Sequence, residues 1–146
     1  MSAYSATAIP KPKDEQTFER ASEVLWRCVL NDPNAKLYGR RGQKQNGVDI
    51  VGKRDGDPDK IVGIQCKQKG DGKTLSEQDD VRSDVEKAKN FEPALSELIF
   101  VTTAPDDRDY DNLALTISKE LKDAGFGFTI QIMGWGCLED EIVKYP

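Results

Sequence analysis

A chain of 146 residues without a single histidine has no imidazole for catalysis or metal binding. Ser-His-Asp and Cys-His nucleophile systems are excluded, as are histidine-ligated zinc and histidine general bases. The three cysteines, Cys28, Cys66 and Cys137, are an odd number without paired spacing, which argues against a disulfide framework and a four-cysteine zinc site. If the chain is an enzyme, its chemistry is expected to rest on carboxylates, lysines or arginines with a hard metal that prefers oxygen. The stretch that could carry it reads Asn46-Gly47-Val48-Asp49-Ile50 and then Gly63-Ile64-Gln65-Cys66-Lys67. On adjacent strands with period-2 side chains, Val48 and Ile50 share one face with Val62, Ile64 and Cys66. Asp49, Gln65 and Lys67 then converge on the other.

That convergence needs a hairpin, and the chain provides for one. Val48 to Lys53 and Lys60 to Lys67 are joined by Arg54-Asp55-Gly56-Asp57-Pro58-Asp59, a run of turn formers. Before it, a helix is expected from Asp14, with Phe18, Ala21, Ser22, Leu25, Cys28 and Val29 on its apolar face and Asn31-Asp32-Pro33 as its stop. Lys36 to Arg41 reads as a short strand, followed by the polar loop Gly42 to Gly47. After the hairpin, Ser76 caps a helix with Asp79 as its capping-box acid, and Val81, Val85, Ala88 and Phe91 form the buried stripe. Glu97 to Thr103 reads as a strand buried on both faces. A helix through Tyr110, Leu113, Ala114, Ile117 and Leu121 stops at Gly125, a strand alternates from Phe126 to Ile132, and a short helix covers Trp135 to Val143. The order implies an α/β sandwich, a central mixed sheet with helices on both faces and a parallel crossover in its later half.

An acid on one strand and Gln65-Cys66-Lys67 on its partner, preceded by the helical pair Phe18-Glu19, resembles the PD-(D/E)xK nuclease superfamily, and within it the Mrr-like restriction-endonuclease domains with a Gln-x-Lys motif. Val101-Thr102-Thr103 is similar to the strand that follows that motif. The likeness runs from about Thr17 to Leu138, but its diagnostic residues number four. It implies a restriction-endonuclease-like three-layer sandwich and a Mg²⁺-dependent DNA endonuclease, with Mn²⁺ as a substitute. Mg²⁺ would activate a water and neutralise charge on the phosphate, held by one or two carboxylates. The implied ligands are Asp49, Glu19, the Gln65 amide oxygen and the Cys66 backbone carbonyl, with Glu23 in reserve for Glu19. Lys67 would position the attacking water or stabilise the phosphorane-like charge. Lys67→Ala is then expected to abolish cleavage at little cost in stability.

Each residue also has a plainer reading. Asp49 could pair with Arg40 or Arg41, Glu19 could be a solvated helix acid, and Glu23–Arg27 is an ordinary i,i+4 pair. Cys66 is core apart from its backbone. The net charge of −5 is uneven: Lys36 to Lys73 holds ten Lys and Arg against five Asp, and the remainder eleven against twenty-one acids. Arg40, Arg41, Lys44, Lys69 and Lys73 are the expected contacts to the backbone phosphates of double-stranded DNA, which convey affinity and little sequence information. Residues 1–13 read as a flexible arm without a signal-peptide core and residues 14–146 as one domain. The chain is expected to be cytoplasmic and off the membrane. In the family such modules often begin larger antiphage-defence proteins, joined to an NTPase or sensor part. A module of something longer, activated by homo-oligomerisation, is the corresponding expectation. A non-catalytic nuclease-fold module that binds nucleic acid or oligomerises, or a nuclease for RNA or junctions, are the competing functions.

Overall fold

The computed structural model of the chain describes residues 9–38 and 47–145. Asp14 caps the first helix, α1 (Glu15–Val29), by accepting the Thr17 amide at 2.8 Å. Its buried residues are Phe18, Ser22 and Trp26, a stripe with four-residue spacing. Ala21 and Cys28, expected inward, are exposed, and Trp26, not expected there, is covered. The helix is rolled so that the Phe18–Trp26 line meets the sheet while Ala21, Leu25 and Cys28 line a groove beside the last helix. Asn31 takes a positive φ of 54° at the exit. Asp32 then accepts the Asn34 and Lys53 amides at 3.0 and 2.7 Å, which ties the exit to the sheet.

Strand β1 is only Lys36–Leu37, shorter than the Lys36 to Arg41 expected; Arg40 and Arg41 lie outside the described residues. It pairs antiparallel with β2 (Ile50–Lys53), and β2 antiparallel with β3 (Ile61–Lys67), with Ile50 opposite Ile64 and Lys53 opposite Ile61. The expected hairpin forms, its turn opening on a 3₁₀ segment at Arg54–Gly56. Ser76 accepts the Asp79 amide at 3.1 Å, but Asp80 and not Asp79 accepts the Ser76 amide, at 2.7 Å. Residues Glu77–Arg82 are wound as a π-helix before α2 (Ser83–Ala88), and that wider turn brings the fourth residue back to the cap in place of the third. Then follow β4 (Glu97–Thr102), α3 (Arg108–Asp123), β5 (Thr129–Met133) and α4 (Trp135–Lys144). The final strand starts later than expected: the Phe126 amide still bonds the Leu121 carbonyl at the end of α3, so the chain extends only from Thr129.

The five strands lie in the order β1-β2-β3-β4-β5, with β3, β4 and β5 parallel. The protein is thus α/β, with a mixed sheet and two separate cores. Leu98 and Phe100 of β4 join residues of the π segment, α2 and α3 in one, and Ile99 and Val101 join residues of α1 and α4 in the other. Alternation on a doubly covered strand is what places helices on both faces. One expectation fails at the entrance to β2. Val48 belongs to the α2–α3 core and Ile50 to the α1–α4 core, so they do not share a face. The chain bends at Asp49 and regular strand begins only at Ile50, which breaks the period. Ile9 packs against the α1–α4 core and donates its amide to Glu139 at 3.3 Å. Among the described residues no helix is long and apolar enough to cross a membrane.

Candidate active site

Asp49 precedes β2 and Lys67 closes β3, so the antiparallel pairing brings them to the same end of the sheet. That end is also the carboxyl end of β4, since β3 and β4 are parallel. The Asp49 carboxylate is 4% exposed, and its Oδ2 accepts the Cys66 amide at 2.8 Å. The bend at Asp49 makes this possible, a side chain taking a strand amide at the point where regular β2 pairing has ended. Burial pushes the Asp49 carboxyl from an ordinary 3.8 to about 7; the Cys66 amide opposes the rise, Glu19 adds to it, and Lys67 opposes it. Glu19 is half-buried on α1, and its own carboxyl is raised by burial and by Glu15. Asp49 is therefore close enough to Glu19 and to Lys67 to feel the charge of each. Cys66 is fully buried in the α1–α4 core, and burial and then Asp49 raise its thiol, which leaves it inert.

Gln65 stands between them on β3, opposite Phe100. Its Oε1 is one of three buried side-chain atoms among the described residues that lack a hydrogen-bond partner, with Trp26 Nε1 and Asp84 Oδ2. Two of these three adjoin Lys67, one on its own strand and one across from it. Glu23, the reserve ligand, is taken: its Oε2 accepts the Leu37 amide at 2.7 Å and its Oε1 lies 3.5 Å from Arg27. It ties α1 to β1. Of the remaining acids on this helix, Glu19 acts on Asp49 more strongly than Glu15 does.

The lysines differ from expectation. Lys67 does not face an open cleft alone; its Nζ lies 2.5 Å from Asp84 Oδ2, an ion contact rather than an aligned hydrogen bond, and Asp84 is 4% exposed. Lys87 approaches the other oxygen of Asp84 at 3.6 Å. Lys69 pairs with Asp80 at 2.8 Å, while its backbone amide and carbonyl both bond the Thr103 hydroxyl. Asp80 is pulled up by burial but held below the ordinary carboxylate range by Lys69 and the Ser76 amide. Lys73 is exposed on the following loop. Arg40, Arg41 and Lys44 lie outside the described residues, and with them the alternative pairing of Asp49. The carboxylates Asp80 and Asp84 were missed by sequence reasoning. Their signal was present in the spacing: Lys67 at the end of β3 is followed two residues on by Lys69, and the next helical segment offers two acids four apart.

Among the described residues no three His, Cys, Asp or Glu side chains gather as a metal cage. Asp49 and Glu19 nevertheless offer carboxylate oxygens within reach of each other's charge, and Gln65 on β3 offers an unpartnered amide oxygen, so the donors available here are all oxygen. Mg²⁺ needs no full protein cage, because it retains several waters and takes one or two carboxylates. The donor set fits that ion and not a soft one. No protein-family model, curated protein or solved structure matches the chain.

Proposed function

We propose that this protein is a Mg²⁺-dependent endonuclease of the restriction-endonuclease-like, PD-(D/E)xK type, cutting DNA with little sequence preference, in keeping with a defence effector. The observation that carries the reading is Asp49, a buried carboxylate beside a second acid, one strand from Gln65-Cys66-Lys67. Such a group costs folding free energy at neutral pH unless a cation meets it. The carboxyl end of parallel strands is also where open α/β sheets place their ligands.

Asp49, Glu19 and the Gln65 oxygen would hold the ion, with the Cys66 carbonyl added by the resemblance. When bound, Mg²⁺ supplies a water of lowered pKa and neutralises charge on the phosphate. Lys67 steadies the negative charge that builds as the water oxygen bonds to phosphorus and the bond to the leaving sugar oxygen breaks. The exposed Lys73, with Arg40, Arg41 and Lys44, contacts backbone phosphates. Plasmid incubated with Mg²⁺ or Mn²⁺ should be nicked or linearised, and EDTA should stop it. Intact plasmid with both metals at high protein concentration sinks the proposal.

One observation favours a second reading. Lys67 is already neutralised by Asp84, and an amide stands where an acid would, as suits a nuclease fold that binds nucleic acid without turnover. Metal-independent retention of DNA without cleavage marks that case.

A further inference from the structure

We infer that Asp84 is a positioning residue for Lys67, holding its ammonium beside the Asp49 site from the helical layer opposite α1. The inference rests on the hydrolase reading above.

A lysine is a compact charge on a flexible four-carbon stem, and its direction must be set by something else. At Lys67 that something is a carboxylate 2.5 Å away with a side chain only 6% exposed. A carboxylate so enclosed requires a cation. It has a second one in Lys87, one helical turn on and 62% exposed, yet the closer approach is to the strand lysine. An ammonium has three donors, so a tether to Asp84 leaves donors for a phosphate oxygen or a water.

The main chain of Asp84 makes the second contact. Gly47 has a φ of 73°, and a Cβ there would lie 2.4 Å from the Asp84 carbonyl oxygen and 3.3 Å from Lys87 Cβ. The entry to β2, two residues before Asp49, thus rests directly on the backbone of α2. One residue therefore refers both reactive groups to the same point: its side chain holds Lys67 and its carbonyl seats the turn that delivers Asp49. The Lys69–Asp80 pair repeats the arrangement one turn earlier, and Thr103 fixes the Lys69 backbone. The exit of β3 is consequently pinned from two sides.

Positioning and plain stabilisation separate in kinetics. Asp84→Asn keeps the shape and removes the charge. With Mg²⁺ and duplex DNA, kcat should fall about a hundredfold, as for a misplaced catalytic group, while KM stays within about twofold. Combined with Lys67→Met it should add nothing further. A second readout is independent of cleavage: the ¹H–¹⁵N signal of the Lys67 ammonium, slow to exchange while tethered, should be seen in the wild-type protein and lost in Asp84→Asn. Should that variant not fold, Asp84→Glu, which keeps the charge and moves it, should also lose kcat. Wild-type kcat in a folded Asp84 variant, effects that multiply with those of Lys67→Met, or no retained ammonium signal in the wild type overturn the assignment and leave the hydrolase reading standing. A wild-type protein that cuts nothing with either metal overturns that reading, and the positioning role with it.

Discussion

At the scale of single residues, Asp49 and Lys67 behave differently from a pair of free catalytic side chains. Asp49 keeps its proton to about pH 7 in the fold, whereas an unfolded aspartate loses it near 3.8. The native state therefore binds more protons between those values, and stability falls as pH rises through that window. The total is about 4 kcal/mol. Asp49→Asn retains an oxygen for the Cys66 amide and has no charge to bury. It should be more stable than wild type by a few kcal/mol, about 2–4, at pH 8 and no more stable near pH 4. Denaturant midpoints at the two pH values check this, and parallel profiles for the two proteins would refute it. Mn²⁺ at pH 8 should raise the wild-type Tm and leave that of Asp49→Asn unmoved. For Lys67 the tertiary structure reverses an expectation. Since Lys67→Ala abandons a buried carboxylate, it should cost about 3 kcal/mol, the usual result of breaking a buried pair. Urea melts of Lys67→Ala beside Lys67→Ala/Asp84→Asn test it, because the second change should restore much of the loss.

At the scale of elements, the hairpin, the doubly covered β4 and the amphipathic α3 were all legible in the sequence. Their signals are local: turn formers between apolar runs, an unbroken ELIFVT, and Tyr110, Ala114, Ile117 and Leu121 at helical spacing. What was misplaced lies where an element ends. Val48 and Ile50 point into different cores because the chain bends between them, and no pattern of residue types announces that bend, at which the Asp49 side chain accepts an amide of the next strand. Trp26 replaced Cys28 in the buried stripe of α1 because α4 occupies the flank, a partner more than a hundred residues away. Gly47→Ala tests the contact between α2 and β2. The positive φ and the clash with the Asp84 carbonyl should together cost more than about 2 kcal/mol, and calorimetry reads the loss. Asp106 makes a comparable join at the other parallel crossover. It accepts the Gly134 amide at 3.0 Å and the Cys137 amide at 2.9 Å, capping α4 from the loop after β4. Asp106→Ala should cost about 1 kcal/mol, as lost helix caps do, and hydrogen exchange should rise first in α4.

At the scale of the whole molecule, the proposed function would have an acidic chain meet a polyanion through a few local cations. Lys69 is already paired with Asp80, so the phosphate contacts left from the expected set are Arg40, Arg41, Lys44 and Lys73. The slope of log affinity against log salt should then be no steeper than about −4. Binding measured between 50 and 200 mM salt gives it, and a steeper slope means that Lys69 leaves Asp80 for the DNA. By itself the sequence determined the class of fold, the absence of histidine chemistry, the strand that carries Gln65 and Lys67 and the hairpin that Asp49 leads into, because these follow from composition and from periods of 2 and 3.6 residues. Only the tertiary structure decided what each of those side chains faces. Burial beside Glu19 lifts the Asp49 carboxyl, and a carboxylate from a helix seventeen residues downstream takes hold of Lys67. Both depend on distances through space, which pair residues that local patterning treats as unrelated.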